Sequence, residues 1–543
     1  MVLQEQQRID TDVLIIGGGG AGLRAAIAAA QKGAKVLLVS YSRAGYGNNT
    51  AIAFGYMCVV INPDDSIEAY MKDTISSGCL INNRKLVELL AVGSVNQIRD
   101  LEQLGITFVA KDGEIAVNLV PGHSYPRNIS AVNKGLGFTV PLRAKAEALG
   151  VKFLEGVSIS KLVNGAAIKG AIGINNKGVP FVIDAKAVIV ATGGLGQVYS
   201  SSSNAISATG DGYALAYEIG AALQDMEMVQ FYPTATTEGK VKKIVLYESI
   251  VAKEGAIIRN SDGEDILQRH GLTDPRSMTR DRLARIVMNE LIEGRHIEGS
   301  LMLDLSNLSY DALNRVYQIL PKRVKITSTN NVSITPVAHF QMGGIRIDDN
   351  CRTGIDGLFA AGEVCGGTHG ANRLGGNSLT EIFVFGEKAG IKAAEEAMKK
   401  RKSSITEKEI DAECQRLSLL ASNRGDCKLN EIESELKNTM LRKSGIIRSC
   451  QSLNEALVDI EQCRKNFDKA MVRGPKDVLD AIRLNNMLTV SEIIVRSALM
   501  RNESRGAHFR TDYPEQDDQQ GISNVVISKK NQAINIRTIK VES

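Results

Sequence analysis

Residues 370–379, which read Gly-Ala-Asn-Arg-Leu-Gly-Gly-Asn-Ser-Leu, contain the residue types most suggestive of chemistry in this chain. Arg373 lies among glycines, which let a backbone approach a ligand closely and adopt positive φ angles. A buried guanidinium needs an anionic partner. Together with residues 17–22 and 339–344, this block predicts a place where an anionic ligand meets a flat cofactor.

A second candidate site is the glycine-rich segment near the N-terminus. Residues 12–16 predict a buried strand, the glycines of 17–22 follow directly, 23–32 predicts a helix, and 34–40 predicts another strand. This order predicts a dinucleotide site, because the glycines let a pyrophosphate reach the helix N-terminus. Ser40 ends the second strand, where an acidic residue usually binds the ribose hydroxyls, and this disfavours strict NAD binding.

The composition excludes several other classes of protein. The 543 residues are 43% hydrophobic and 23% charged, as expected for a globular enzyme of two or three domains. A net charge of +4 and the absence of Trp disfavour nucleic-acid binding. The eight Cys form no Cys-x-x-Cys pair, so we expect reduced thiols and no metal site. We see neither a signal peptide nor an apolar run of the roughly 18–20 residues that span a membrane, and we expect no transmembrane segment.

The elements that must position these residues alternate between helix and strand. Segments 187–194 and 357–363 each predict a strand running into a glycine turn, 151–190 is β-rich, and 521–543 predicts a strand pair. Helices are predicted over 84–104, 139–149, 386–400 and much of 405–500. We expect an α/β fold with α+β insertions, divided into a split dinucleotide-binding domain (1–229 and 341–401), an inserted domain (230–340), a helical domain (402–515) and a tail (516–543).

Several of these strings match one known family. The chain resembles the flavoprotein subunits of succinate dehydrogenase and fumarate reductase, and also L-aspartate oxidase, from about residue 10 to about residue 518. The matching strings are 17–26, 191–194, 209–212, 224–227, 279–281, 339–344, 370–379 and 503–510. The resemblance implies a Rossmann-like FAD-binding domain with an inserted capping domain and a C-terminal helical domain. It also implies a redox reaction at a carbon–carbon or carbon–nitrogen bond beside a carboxylate.

The resemblance also implies catalytic roles. Family enzymes pass a hydride between flavin N5 and one carbon of a dicarboxylate, while a proton moves at the neighbouring carbon. By motif, Arg373 and His339 hold one carboxylate, Arg280 transfers the proton and Glu248 relays it. Arginine can lose a proton only where burial and neighbouring cations make the charged form less favourable.

Three departures from the family motifs bear on the substrate. Tyr232 stands where the family has His, and Tyr247 stands where it has Thr; both positions contact the second carboxylate. The relay arginine is replaced by Val251. Because phenols are neutral near pH 7, the substrate is predicted to have a larger or less charged far end than fumarate.

The same match implies the residues that contact FAD, with Glu363 as acceptor for ribose hydroxyls. The predicted contacts are Gly17, Gly19, Gly20, Ala21, Gly22, Ser40, Asn49, Thr50, Gly55, Ala191, Thr192, Gly193, Asp211, Glu363, Asn377, Ser378 and Leu379. Many relatives bind FAD covalently through a His, and the corresponding stretch 48–55 contains none, so non-covalent FAD is predicted. His123 lies in a Gly-His-Ser string similar to that of L-aspartate oxidase. The sequence leaves two interpretations of it open, a residue of the site or part of a polar loop beside the flavin.

Two active functions remain open from the sequence. The first is a reductase or dehydrogenase that exchanges electrons with an iron–sulfur partner subunit, in the cytoplasm or peripherally at the inner face of the membrane. The second is a self-contained flavin oxidase similar to L-aspartate oxidase. A non-catalytic electron-transfer subunit is disfavoured by the retention of Arg280, His339 and Arg373.

Overall fold

The structure is a computed structural model that describes residues 6–237, 244–246, 249–252, 254–272, 279–320, 331–401, 403–519, 521–531 and 533–541. Its strands are β1 (Gln7–Ile16), β2 (Val36–Ser40), β3 (Tyr56–Cys58), β4 (Ala110–Lys111), β5 (Glu114–Ile115), β6 (Asn128–Ser130), β7 (Lys152–Glu155), β8 (Val157–Asn164), β9 (Ile168–Asn175), β10 (Pro180–Val190), β11 (Leu223–Gln224), β12 (Val229–Thr236), β13 (Ile257–Arg259), β14 (Leu301–Asp304), β15 (Asn331–Gln341), β16 (Gly344–Arg346), β17 (Leu358–Ala360), β18 (Cys365–Gly366), β19 (Cys427–Lys428), β20 (Ala470–Met471), β21 (Ser523–Lys530) and β22 (Ala533–Lys540).

The α-helices are α1 (Gly20–Gln31), α2 (Asn49–Ile52), α3 (Ile67–Ser77), α4 (Arg84–Gln103), α5 (Lys134–Ala148), α6 (Asp211–Glu218), α7 (Ser249–Ala252), α8 (Ile266–Arg269), α9 (Arg280–Ile292), α10 (Tyr310–Ile319), α11 (Asn377–Lys399), α12 (Glu407–Ser422), α13 (Leu429–Lys443), α14 (Cys450–Asp468) and α15 (Pro475–Met500). None of the helices described is both long and apolar enough to cross a lipid bilayer.

The central sheet positions the glycine-rich turn. Its order is β7-β2-β1-β10-β9-β8, with β17 also paired to β10. Strands β7, β2, β1, β10 and β17 run parallel, whereas β9 and β8 are antiparallel. Residues 13–16 of β1 and the whole of β2 are buried because their side chains are almost all apolar, and α1 and α11 pack against each other beside them. The carboxyl ends of β1, β10 and β17 therefore meet at one edge, which confirms the predicted Rossmann-like α/β class.

A second sheet lies in the segment predicted to be inserted. It has the order β12-β15-β14-β13 and its own apolar cluster, which includes Leu246, Leu303 and Ile334. The pairing of β12 with β15 shifts register next to Gln230 and again after Tyr232. Such irregularities often occur beside active sites, where they redirect side chains. The sheet supports the proposed 230–340 unit, whose boundaries remain a prediction.

The C-terminal part is helical and ends in a hairpin. Helices α13, α14 and α15 pack on one another, and strands β21 and β22 extend a five-stranded sheet of order β18-β16-β11-β21-β22. Two helices begin earlier than predicted. Helix α5 starts at Lys134, although the glycines at 135 and 137 are poor helix formers. Helix α11 starts at Asn377, directly after Gly376 at φ 94°, instead of at residue 386.

Candidate active site

The turn after β1 is shaped by close backbone contacts. Gly17 has a φ of 121°, and a Cβ atom there would lie 2.2 Å from the Ala191 carbonyl oxygen. A Cβ atom on Gly22 would lie 1.9 Å from the carbonyl oxygen of Gly17. Only glycine can occupy these positions, so the sequence requires β1, β10 and the start of α1 to meet closely. A ligand at this edge faces the N-terminus of α1.

A crevice of about 1280 Å³, including its open mouth, lies at this edge. Most of the predicted FAD contacts line it: Gly17, Gly19, Gly20, Ala21, Ser40, Asn49, Thr50, Ala191, Thr192, Gly193, Asp211 and Glu363. The predicted contacts that do not line it are Gly22, Gly55, Asn377, Ser378 and Leu379. A direct contact with the cofactor remains a prediction for both groups of residues.

The polar groups of the crevice fit a dinucleotide. The Thr192 hydroxyl is buried without a hydrogen-bond partner among the residues described, so a bound ligand could satisfy it. A Cβ atom added to Gly19 would make only ordinary van der Waals contacts, the nearest at 3.8 Å. Thr50 Oγ1 accepts a hydrogen bond from the Gly20 N–H at 3.2 Å, which ties α2 to the start of α1. The residues present therefore suit FAD.

Glu363 is the acidic group of this crevice. Its carboxylate accepts hydrogen bonds from Asn49 Nδ2 at 3.3 Å and from the Gln341 N–H at 3.1 Å. Burial raises the pKa of Glu363 to about 7. Gly194 must lack a side chain, because a Cβ atom there would lie 2.1 Å from the carboxylate. Glu363 is thus held by donors while it keeps the capacity to accept from a ligand.

Helix α15 contributes residues that sequence reasoning missed. Leu479, Ile482 and Arg483 line the crevice. Asn486 Nδ2 donates to Asp211 Oδ1 at 2.7 Å, and Thr209 Oγ1 donates to Asp211 Oδ2 at 2.6 Å. No local motif marks these helical positions, because their role depends on where α15 packs.

The predicted catalytic arginines meet at one amide. Gln230 Oε1 accepts from Arg280 Nη1 at 3.2 Å and from Arg373 Nη2 at 3.1 Å. The guanidinium of Arg373 also lies over the Phe340 ring, 4.5 Å from its centroid. Two side chains 93 positions apart, at 280 and 373, therefore present their cationic groups to the same small volume.

His339 and Tyr232 lie beside these arginines. Their rings are 5.0 Å apart at 65°, and the Arg280 guanidinium lies 4.8 Å from the centroid of the Tyr232 ring. His339 Nδ1 is 2.9 Å from Ser203 Oγ, which fixes the orientation of the imidazole. The structure therefore brings Arg280, His339, Arg373 and Tyr232 together, as their predicted roles require.

Two predicted residues lie outside the residues described, namely Glu248 and Tyr247. Val251, at the family's relay-arginine position, is buried in the apolar cluster of the second sheet. A cationic relay is therefore absent at this described position.

Gln230 and Asn372 are polar residues to which sequence reasoning assigned no role. Gln230 Nε2 donates to Asn372 Oδ1 at 2.7 Å, and Asn372 Nδ2 donates to Asp281 Oδ1 at 2.9 Å. Arg280 and Asp281 open α9, so these two amides connect that helix to the 370–379 block. Their signal in the sequence is weak, because amides are common surface residues.

The 370–379 block is supported from both sides. Ser378 Oγ accepts from Arg373 Nη1 at 3.3 Å, whereas Asn377 binds Tyr70 Oη at 2.9 Å and Thr74 Oγ1 at 3.2 Å. The Ala507 N–H donates to the Ala371 carbonyl at 3.0 Å. Ser378 thus orients Arg373, while the Asn377 side chain stabilises the start of α11.

Comparisons with known proteins agree with this geometry. The FAD binding domain family matches residues 12–379, and the fumarate reductase flavoprotein C-terminal family matches residues 433–543. The chain is 38% identical to an uncharacterised FAD-dependent oxidoreductase of Methanocaldococcus jannaschii, over 96% of each chain. It is 36% identical to one of the subunits of the fumarate reductase (CoM/CoB) of Methanothermobacter marburgensis, over 94% of this chain and 96% of the relative. The structure of E. coli quinol fumarate reductase FrdA superposes with a TM-score of 0.90 at 29% identity, covering 99% of this chain and 97% of that one.

Proposed function

This chain belongs to the fumarate reductase and succinate dehydrogenase family of FAD-dependent oxidoreductases, and from that premise we propose that it reduces the C=C bond of an unsaturated carboxylate. Reduced FAD supplies the hydride when it is bound. The observation that supports this proposal is the convergence of Arg280 and Arg373 on Gln230, with His339 beside them. We propose that the FAD is not covalently attached, since residues 48–55 contain no histidine.

The three basic side chains divide the chemistry between them. Arg373 offers a planar fork of donors to one substrate carboxylate, and His339 offers a directional donor. The charge of Arg373 and the hydrogen bonds from both residues withdraw electron density from the double bond and so favour attack by hydride. Arg280 delivers the proton to the neighbouring carbon. The guanidinium of Arg373 lies close by, and its repulsion makes loss of a proton from Arg280 less unfavourable.

Tyr232 limits the charge that the far end of the substrate should carry. Its neutral ring occupies the space between Arg280 and His339, where the family has a histidine. A phenol ring favours an apolar or polar neutral group over a second anion. We propose that one carboxylate anchors the substrate and that the enzyme accepts monocarboxylic enoates as well as fumarate.

Turnover by purified holoenzyme, with reduced methyl viologen as electron donor, tests this function. Arg280→Ala should lower kcat by roughly 10²–10⁴-fold, the usual contribution of a general acid, while bound FAD remains. Arg282→Ala, an exposed arginine further along α9, is the matched control and should keep its activity. Activity of Arg280→Ala within a few-fold of wild type would refute the role of Arg280. Fumarate turnover far above that of every monocarboxylic enoate would refute the proposed substrate class.

An iron–sulfur partner is the proposed source or destination of the electrons. The relative from Methanothermobacter marburgensis is named as one subunit of a fumarate reductase. The structure has an exposed apolar surface formed by Ile52, Tyr56, Val109, Val132, Leu136 and Val140, each 37–45% exposed. We call these residues the α2–α5 surface.

The residues of the α2–α5 surface lie on or beside elements that contact one another next to the crevice. The Gly135 N–H donates to the Ala53 carbonyl at 3.1 Å, and β3 pairs with β6. Leu136 and Val140 lie one turn apart on α5 and so share a face. Asn49 and Thr50 of α2 line the FAD crevice, so a protein docked here lies one short helix away from the cofactor. We propose that the iron–sulfur partner binds at this surface, through which any membrane association would also arise.

A further inference from the structure

His123 lies beside the proposed catalytic site without a role in the chemistry derived above. It is buried, at 8% exposure, in the loop between β5 and β6. Its Nε2 atom is 2.9 Å from the Gly375 carbonyl oxygen. Cys58 Sγ approaches the same oxygen at 3.3 Å. The Gly375 carbonyl is therefore held mainly by the imidazole, since a thiol is the weaker donor.

Arg127 fixes the tautomer of His123. Its Nη1 atom is 3.3 Å from His123 Nδ1. A guanidinium can only donate hydrogen bonds, so Nδ1 must accept. In the neutral ring the proton then resides on Nε2, which donates to the Gly375 carbonyl.

Arg127 is itself rigidly held. It is fully buried, and its Nε and Nη2 atoms donate to the two carboxylate oxygens of Asp65 at 2.6 and 2.7 Å. Nη1 also pairs with Asp73. Asp73 accepts in addition from the N–H and the hydroxyl of Ser124, the residue next to His123. Such a bidentate buried pair leaves the guanidinium little freedom. Arg127 therefore fixes the orientation of the His123 ring through its Nδ1 atom.

The backbone that His123 holds lies next to the predicted proton donor. A Cβ atom added to Gly375 would lie 3.3 Å from Arg280 Nη2. On the next residue, Gly376, a Cβ atom would lie 2.3 Å from Asn128 Oδ1 and 2.5 Å from Cys58 Sγ. This stretch of backbone is therefore packed between the His123 loop and the Arg280 guanidinium.

We propose that His123 is a positioning residue of the catalytic site, whose Nε2–H holds the Gly375 carbonyl and thereby fixes the backbone against which the Arg280 guanidinium lies. The inference rests on the proposed function of Arg280 as proton donor. His123 contacts neither substrate nor reacting atoms; it acts through Gly375.

The charge state of His123 gives this role a pH dependence. The ionisable groups that face it are Arg127, Asp73, Asp65, Cys58 and Tyr70. Burial lowers the pKa of His123, so the ring is neutral at pH 7. Protonation places a hydrogen on Nδ1 that faces the N–H donors of Arg127. The repulsion between them disturbs the hydrogen bond from His123 to the Gly375 carbonyl. We expect kcat to fall on the acid side of the usual histidine range.

Two substitutions in the FAD-loaded enzyme test the hydrogen bond from His123 to the Gly375 carbonyl. His123→Leu removes the donor, and kcat should fall by about tenfold while KM and bound FAD change little, as expected for an interaction that acts in the chemical step. His123→Gln keeps an N–H donor of similar reach, so most of kcat should return, without the acid limb of the pH profile. Unchanged kcat in His123→Leu, or equal losses in both variants, would overturn the proposal.

A spectroscopic measurement tests the geometry without any substrate. The chain has six histidines, and ¹⁵N-histidine NMR of wild type and His123→Gln assigns the signal of His123. We expect a neutral ring protonated on Nε2 at pH 7. A ring protonated on Nδ1 would overturn the inference even if the enzyme reduces enoates. Conversely, absence of enoate reduction with the expected tautomer would count against the proposed function alone.

Discussion

At the scale of single residues, one amide oxygen determines how the two cationic groups are arranged. Gln230 accepts from Arg280 and Arg373 at once, so it holds both guanidiniums without adding charge. Tyr232, on the same side of β12, stacks on Arg280, while Phe231 between them packs on Tyr199.

Gln230→Glu tests whether neutrality at this position matters. A carboxylate between the arginines would stabilise their charged forms and make proton delivery from Arg280 harder. We expect kcat to fall by roughly 10²-fold or more, equivalent to about 3 kcal/mol or more in the barrier. Steady-state kinetics with bound FAD confirmed by absorbance is the measurement. Wild-type kcat in this variant would show that the shared amide is not needed for proton transfer.

Glu363 predicts a pH dependence of stability. Its pKa rises to about 7 in the folded protein from an ordinary value near 4.5. Between these values the folded state holds a proton that the unfolded state has released, so stability falls as pH rises. The full effect is about 3 kcal/mol. The unfolding temperature of the FAD-free protein should therefore depend less on pH between pH 5 and pH 7 in Glu363→Gln than in wild type. Identical slopes in both proteins would contradict the assignment.

At the scale of elements, the sequence predicted local units better than long-range ones. The β1–turn–α1 unit was predictable because a buried strand, a glycine-rich turn and a helix follow one another directly in the sequence. The contribution of α15 to the crevice was not, because Asn486 meets Asp211 only through the packing of a distant helix. The start of α11 was also missed, since the glycines at 375 and 376 are typical of a loop, whereas the helix begins directly after them at Asn377.

Helix α15 should therefore affect cofactor binding. Asn486→Leu removes a donor to Asp211, and loss of one such hydrogen bond should weaken FAD binding by about fivefold to tenfold. Asn485→Leu is the matched control, because Asn485 is the neighbouring amide on α15, whereas the donor to Asp211 is Asn486. Titration of each FAD-free variant with FAD, followed by fluorescence, measures its affinity for FAD. Equal affinities for the two variants would show that Asp211 does not depend on α15.

At the scale of the whole molecule, the site is assembled from segments far apart in the chain. Arg280 lies at the start of α9, Arg373 in the block before α11, and His339 in β15. The family resemblance predicted these three residues because short motifs surround each of them. It could not predict the α2–α5 surface, since exposed apolar residues on separate elements share no motif.

The α2–α5 surface predicts how electrons reach the cofactor. Leu136→Glu places a charge within this surface and should prevent docking of the iron–sulfur partner, because unpaired charges buried in an interface oppose binding. Val458→Glu, at a position 69% exposed on α14, is the matched control. Co-expression with a Cys-rich ferredoxin-like protein encoded by a neighbouring gene should give a complex with wild type and Val458→Glu but not with Leu136→Glu. Turnover with methyl viologen should be the same in all three, because that donor does not require docking. Rapid reoxidation of the reduced flavin by air, with no such partner encoded, would instead indicate a self-contained oxidase.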